Sequence, residues 1–145
     1  CMHILIRYEI EQAIFRDHVP ASELPALWNQ KYQEYLGITP ANDAEGILQD
    51  MHWSDGSFGY FPTYLLGCIY DGMFLEALEN DLGSVDEILA AGEIRKITRW
   101  LNENIHWHGS LRLPKEVIEK VCQKELSSKP LLTYFEDKYS KIYQL

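Results

Sequence analysis

The chain has 145 residues, a length that suits a single domain with a modest hydrophobic core. Hydrophobic residues make up 46%, and four Trp, nine Tyr and five Phe supply enough apolar surface to argue against disorder. A formal net charge of −9, with no basic stripe, argues against a nucleic-acid partner, because nucleic-acid phosphates repel an acidic surface.

Signals for a membrane or for secretion are also missing from the sequence. No apolar run reaches the roughly 18 residues that a membrane-spanning helix needs. The first residues have neither a basic region nor a small-residue cleavage site. Cys1, Cys68 and Cys122 are odd in number and widely spaced, which suits a reducing compartment better than a disulfide framework. We therefore predict a cytoplasmic location and no membrane partner.

Helical periodicity dominates the first part of the chain. Residues 2–17 are predicted to form a helix that is apolar on two sides, which is typical of buried helices. This run opens without a polar cap, so we expect the chain to be part of something longer. A second helix is predicted to have Ser22 as its N-cap and to end near Leu36, where Gly37 follows.

Arg7 lies between the two apolar stripes of the first predicted helix, in line with Glu11 one turn later. A guanidinium in this place needs a partner, and Glu11 at i+4 is a natural one for a structural ion pair. The alternative is that Arg7 binds an anionic substrate. The sequence leaves both interpretations open.

The rest of the chain is also predicted to be helical, apart from one long loop over residues 40–59. Loops of that length in compact proteins are often functional. After the loop, the predicted helices cover about 60–80, 84–92, 93–105, 114–126 and 130–143, with Ser84 as an N-cap and Gly92 as a stop. With six or seven helices and almost no strand-like alternation, the predicted fold class is all-α.

Motifs for common catalytic chemistries are absent. The five histidines include no pair at the i, i+4 spacing that lets two imidazoles share a zinc ion on one helix face. There is no Gly-x-Ser-x-Gly nucleophile elbow and no phosphate-binding glycine loop. We therefore predict no metal-binding residues in this chain.

The segment 46–64, GILQDMHWSDGSFGYFPTY, is the exception. It combines amide, carboxylate, imidazole and phenol groups with other aromatic rings, a composition typical of a ligand-binding wall. The alternative is a structured loop in which Gln49 and His52 only satisfy nearby backbone groups.

Several stretches of the chain resemble the carboxypeptidase Taq family of metallocarboxypeptidases. Residues 46–53 match the family signature Gly-x-x-Gln-Asp-x-His-Trp, and residues 58–67 match the stretch that follows it. Residues 5–11 are similar to the family's Leu-x-Arg-Phe-Glu-Ile-Glu helix, and 100–109 and 134–139 also agree. The chain thus resembles the C-terminal portion of such an enzyme.

The resemblance implies both a fold and an activity. Family members are largely helical, zincin-type peptidases with a deep groove, usually homodimeric, that hold zinc or cobalt with a His-Glu-x-x-His helix and a later Glu. Residues 1–145 would be the C-terminal region of that catalytic domain, a partial lobe without the His-Glu-x-x-His helix. The implied function is a fragment of a zinc-dependent enzyme that hydrolyses C-terminal residues of peptides. No metal and no activity are expected for this chain alone. A non-catalytic helical peptide-binding or interaction module is the alternative.

Roles for seven residues follow from the same resemblance. His52 and Tyr60 are predicted to be catalytic, as hydrogen-bond donors to the tetrahedral oxyanion. The residues predicted to bind the peptide substrate are Arg7, Gln49, Asp50, Trp53 and Tyr64.

Overall fold

A computed structural model describes residues 1–145 as α-helices and connecting turns, with no β-strand. The α-helices are α1 (Met2–Phe15), α2 (Leu24–Leu36), α3 (Met51–Ser54), α4 (Thr63–Leu82), α5 (Val85–Ala90), α6 (Ile94–Asn104), α7 (Pro114–Cys122) and α8 (Lys129–Tyr143). Short 3₁₀ turns cover Ala21–Glu23, Ile47–Gln49 and His106–His108. The prediction of an all-α fold is confirmed. The helix not predicted is α3, a single turn within the predicted loop. None of the helices is both long and apolar enough to cross a membrane.

The predicted helix ends are partly right. Gly37 ends α2 in the left-handed conformation, with φ 69°, and the Ser84 hydroxyl accepts a hydrogen bond from the backbone N–H of Glu87. Ser22 is not an N-cap, because a 3₁₀ turn occupies Ala21–Glu23 and α2 begins only at Leu24. The helix predicted over 114–126 stops at Cys122, because Gln123 turns left-handed with φ 51°.

The chain divides into two compact units, and the first covers Cys1–Gly67. Its core consists of Ile6 and Ile10 from α1 and Trp28 from α2, all almost fully buried. Ile6 and Ile10 share one face of α1 because residues four apart in a helix lie above one another. Trp53, just after the start of α3, packs against this core, so the predicted loop region is attached to the helices.

The second unit covers Cys68–Leu145 and has a separate core of Met73, Ile118 and Cys122. A close approach between α4 and α8 depends on Gly72. A Cβ atom built on this glycine would lie 2.7 Å from the backbone nitrogen of Leu131. Only a residue without a side chain fits there.

Candidate functional site

Arg7 lies in the middle of α1, and its ion-pair partner is Asp50. Its Nε atom is 2.5 Å from the Oδ2 atom of Asp50, and the two side chains are 10% and 1% exposed. The predicted pair with Glu11 is therefore wrong. The guanidinium is paired instead with Asp50, which lies 43 positions later in the chain, because the loop that carries Asp50 folds back onto α1. Each buried charge is thereby paired, as burial requires.

Neighbouring side chains hold the Arg7 guanidinium on its other sides. Its Cζ atom is 4.7 Å from the ring centroids of both Trp28 and Phe61. Its Nη1 atom donates to the backbone oxygen of His3 at 3.1 Å and to the Tyr32 hydroxyl at 3.3 Å. Burial and the nearby positive charge of Arg7 lower the pKa of His3, which favours a neutral ring beside the guanidinium.

Glu11, one turn after Arg7, is buried as well and holds a different part of the loop. Its Oε1 atom accepts a hydrogen bond from the Trp53 indole N–H at 2.9 Å. Its Oε2 atom accepts one from the backbone N–H of Gly59 at 3.1 Å. Glu11 was not among the predicted site residues. Its position between apolar stripes indicated that it needs partners, but not that they lie 42 and 48 positions away.

Asp50 serves a second purpose as the N-cap of α3. While its Oδ2 atom faces Arg7, its Oδ1 atom accepts the backbone N–H of Trp53 at 2.9 Å. This is the usual way in which Asp satisfies an orphan N–H at a helix start. Asp50 is 5% exposed, so its carboxylate anchors the loop from inside.

We call residues 50–61 the signature loop, because the signature motif runs into it. After α3, the backbone turns at Gly56 and Gly59, with φ 83° and 76°. The turn is closed by a 2.8 Å hydrogen bond from the Ser57 N–H to the His52 backbone oxygen. Residues with φ in this range are ordinarily glycine, since other side chains are strained there.

His52 lies on α3 within an aromatic cluster that also contains Tyr60, Phe61 and Tyr64. The His52 ring is stacked with Tyr60 at a centroid distance of 5.9 Å and meets Phe61 edge-on at 4.9 Å. Tyr64, from the first turn of α4, meets His52 edge-on at 5.9 Å. Tyr60 and Tyr64 are 56% and 47% exposed, whereas His52 is half-buried. The cluster thus offers an imidazole and two phenols at the surface of the unit.

The two remaining predicted substrate contacts have partners within the chain. The exposed Gln49 side chain donates to the backbone oxygen of Ala44, which agrees with the local interpretation of this residue. Trp53 is half-buried; besides its bond to Glu11, its ring meets Trp28 edge-on at 5.9 Å. All seven predicted residues lie in the first unit. His52, Tyr60 and Tyr64 come together in the aromatic cluster. Arg7 pairs with Asp50 at the start of the signature loop, and Trp53 of the loop packs against the core.

Metal ligands are not brought together anywhere in the structure. No group of three or more His, Cys, Asp or Glu side chains is arranged to hold a metal ion. The residues of this chain therefore do not fit a complete metal centre.

Known proteins resemble the chain over nearly its whole length. The sequence model of the family described as carboxypeptidase Taq (M32) metallopeptidase matches residues 1–139. Carboxypeptidase 1 of Bacillus subtilis (strain 168) is 49% identical over 144 residues, which is 99% of this chain and 29% of that protein. Thermostable carboxypeptidase 1 of Thermus thermophilus is 39% identical over 142 residues, 98% of this chain and 28% of that protein.

A solved structure agrees with these sequence matches. The crystal structure of the M32 carboxypeptidase from Deinococcus radiodurans R1 superposes with a TM-score of 0.95 at 29% identity, covering 99% of this chain and 29% of that one. The chain thus spans less than a third of the length of the relatives that it matches. The predicted family resemblance is confirmed.

Proposed function

The chain belongs to the carboxypeptidase Taq (M32) family of metallopeptidases, and from this membership we propose that it forms part of the wall of a peptide-binding groove. In this proposal, residues 1–145 are the C-terminal region of the catalytic domain of an enzyme that removes C-terminal residues from peptides. The aromatic cluster is the observation that carries the proposal. It presents the His52 imidazole and the exposed Tyr60 phenol of the signature loop beside the exposed Tyr64 phenol at the start of α4.

Direct contact with the peptide falls to the residues whose polar atoms reach the surface. We propose that His52 and Tyr60 donate hydrogen bonds to the scissile carbonyl oxygen as it becomes tetrahedral. One such donor typically contributes about 2.7–4 kcal/mol to the transition state. Gln49 and Tyr64, both exposed, contact the peptide on either side.

The predicted substrate contacts that lie deeper receive a different role. Arg7 and Asp50 are buried and paired with each other, so they fix the start of α3. Trp53 is held by Glu11 and packs against the core, so it anchors the loop to α1 and the core. We therefore propose that these three residues hold the site in place and do not bind the substrate directly.

The metal of the full-length enzyme is proposed to be zinc or cobalt, held by residues outside this chain. The chain alone should then bind no stoichiometric zinc and release no C-terminal amino acid. A cytoplasmic location is supported by three free cysteines, which are typical of reducing compartments. A homodimer is proposed for the full-length enzyme on family resemblance alone.

A chimera tests this proposal. The matching 144 residues of Bacillus subtilis Carboxypeptidase 1, which are 49% identical, would be replaced by this chain. We expect the chimera, supplied with metal, to release C-terminal residues from an N-blocked peptide. His52→Ala in the chimera should lower kcat by about 10²- to 10³-fold, the effect of losing one oxyanion donor.

Two controls make the outcome decisive. Tyr8→Phe, at an exposed position on α1, should leave kcat unchanged. Equal activity of the His52 and Tyr8 variants would contradict the proposed role of His52. Chelator-sensitive peptide hydrolysis by the 145-residue chain alone would contradict its proposed inactivity.

A second candidate is a non-catalytic peptide-binding or interaction module. It is favoured by Leu48 and Met51, which flank the start of the signature loop and are 71% and 78% exposed. Sedimentation velocity over a range of concentrations distinguishes the two candidates. Self-association of the isolated chain supports the module, and a monomer at all concentrations counts against it.

A further inference from the structure

Both ends of the turn in the signature loop are attached to the same carboxylate. Glu11 accepts one hydrogen bond from the Trp53 indole and another from the Gly59 backbone N–H. Residues 54–58, which lie between these two donors, contain the turn at Gly56. A single side chain on α1 therefore ties together the two arms of the turn.

The residues next to these two donors are the proposed catalytic ones. His52 directly precedes Trp53, and Tyr60 directly follows Gly59. The two rings are stacked at a centroid distance of 5.9 Å. A shift of either arm away from α1 would therefore separate the imidazole from the phenol.

We propose that Glu11 is a positioning residue that sets the distance and orientation of His52 relative to Tyr60. It acts through Trp53 and Gly59 and touches no substrate itself. The inference rests on the proposed function, in that it takes His52 and Tyr60 as the pair that meets the peptide.

Arg7 completes the attachment one helical turn earlier. It pairs with Asp50 at the first residue of the loop and lies over Phe61 at the last. Arg7 and Glu11 thus contact positions 50, 53, 59 and 61 from one face of α1. Replacing both members of a buried ion pair such as Arg7–Asp50 by apolar residues is often neutral for stability, so stability alone does not account for the pair. The need to hold particular loop atoms in place does account for these charged residues, because hydrogen bonds are directional and apolar contacts are not.

The chain offers a matched control on the same helix. Glu9 carries a partly buried carboxylate whose hydrogen bond and ion pair go to Tyr35 and Lys31 of α2 and not to the loop. Glu9→Gln therefore removes a comparable charge from α1 and leaves the loop attachments in place. Glu11→Gln keeps one acceptor oxygen and turns an amide NH₂ towards the other donor, so one of the two bonds is lost.

Nuclear magnetic resonance of the 145-residue chain tests the proposal. In Glu11→Gln we expect the ring signals of His52 and Tyr60 to shift and their mutual contacts to weaken. Hydrogen exchange should accelerate by about tenfold or more at the donor that then faces the amide NH₂, either the Gly59 backbone N–H or the Trp53 indole N–H, as expected when a hydrogen bond to a charged group is lost. In Glu9→Gln the same signals and the Gly59 exchange rate should stay as in the unmodified chain.

Trp53→Phe provides a milder second variant, because it removes the indole N–H and keeps an aromatic ring. It should shift the His52 ring signals and leave the Gly59 exchange rate nearly unchanged, since the hydrogen bond from the Gly59 N–H to Glu11 remains. The proposal is overturned if Glu11→Gln or Trp53→Phe lowers stability while the His52 and Tyr60 signals stay unchanged. An inactive chimera with the expected loop signals would instead refute the proposed function and leave the positioning role intact.

Discussion

The two compact units bury different kinds of side chain. In Cys1–Gly67 the buried residues include Arg7, Glu11 and Asp50, three charged groups, beside an apolar core. In Cys68–Leu145 the buried side chains are apolar, among them Met73, Leu78, Ile88, Trp100 and Ile118. The ion pairs of the second unit lie at its surface, as that of Lys124 with Glu76 does at 2.8 Å, with side chains 51% and 41% exposed.

This difference separates the unit that carries the proposed site from the unit in which helices pack through apolar residues alone. Burying a charge costs several kcal/mol, and its paired partner only offsets that cost when the geometry is good. In the first unit, hydrogen bonds that join the buried Arg7 and Glu11 to the signature loop offset part of that cost. The second unit needs no such attachment, so ordinary apolar burial is sufficient there.

The largest effect is expected from Asp50→Asn, which tests whether the first unit depends on its buried pair. Asn still caps α3, but the Arg7 charge is left buried without its counter-charge. The free energy of unfolding should fall by about 3–5 kcal/mol. Urea unfolding at neutral pH measures this loss. Asp55→Asn, an exposed change in the same loop, should have a far smaller effect. A loss for Asp50→Asn as small as the one expected for Asp55→Asn would show that the buried pair is dispensable.

An intermediate effect is expected from Gly72→Ala, which tests the close helix packing of the second unit. The added Cβ would meet Leu131 backbone atoms at 2.7 and 2.8 Å, so the helices must move apart. We expect a loss of about 1–3 kcal/mol, as for overpacking elsewhere. Gly67→Ala lies on the same helix with no atom within 4 Å of the new Cβ. It should stabilise by up to about 1 kcal/mol through helix propensity. Thermal or urea unfolding measures both changes, and an increase in stability for Gly72→Ala would disprove the close approach of Gly72 to Leu131.

The smallest effect concerns Glu9 of α1 and its half-buried partners Lys31 and Tyr35. Burial alone would raise the pKa of Glu9, but hydrogen bonds from Lys31 and Tyr35 outweigh it and hold the pKa below its ordinary value. The Glu9 oxygens lie 2.6 Å from Lys31 Nζ and 2.6 Å from the Tyr35 hydroxyl. Because the folded chain keeps Glu9 charged to lower pH than the unfolded chain does, this contribution is full above the ordinary Glu pKa of about 4.3. It is lost as the pH falls from there through the folded value.

Removing the Glu9 charge should therefore flatten the acid side of the stability profile. Glu9→Gln should lose about 0.5–1 kcal/mol at pH 7, discounted for partial exposure, and progressively less as the pH falls below the ordinary Glu pKa. Unfolding experiments across this pH range measure the difference. Glu76→Gln, at the exposed pair of the second unit, should show less pH dependence. A Glu9→Gln profile parallel to that of the unmodified chain would exclude the network as a source of stability.

Local signals in the sequence predicted much of the fold. Gly37 and Ser84 mark helix ends because one residue's own conformation or hydroxyl determines them. Ser22 failed as a cap, since Pro20 leads into a 3₁₀ turn that an N-cap rule does not describe. The single turn α3 was missed because four residues are too few to show a helical period.

What the sequence determined by itself was the all-α class and the family resemblance. Each of these depends on residues that are close together along the chain. The tertiary structure alone decided that Arg7 pairs with Asp50 and that Glu11 binds Trp53 and Gly59. The i, i+4 rule placed Arg7 beside Glu11, but each of them bonds to the returning loop. A buried charge takes whichever partner the folded chain brings within hydrogen-bond distance, and here that partner lies more than forty positions away.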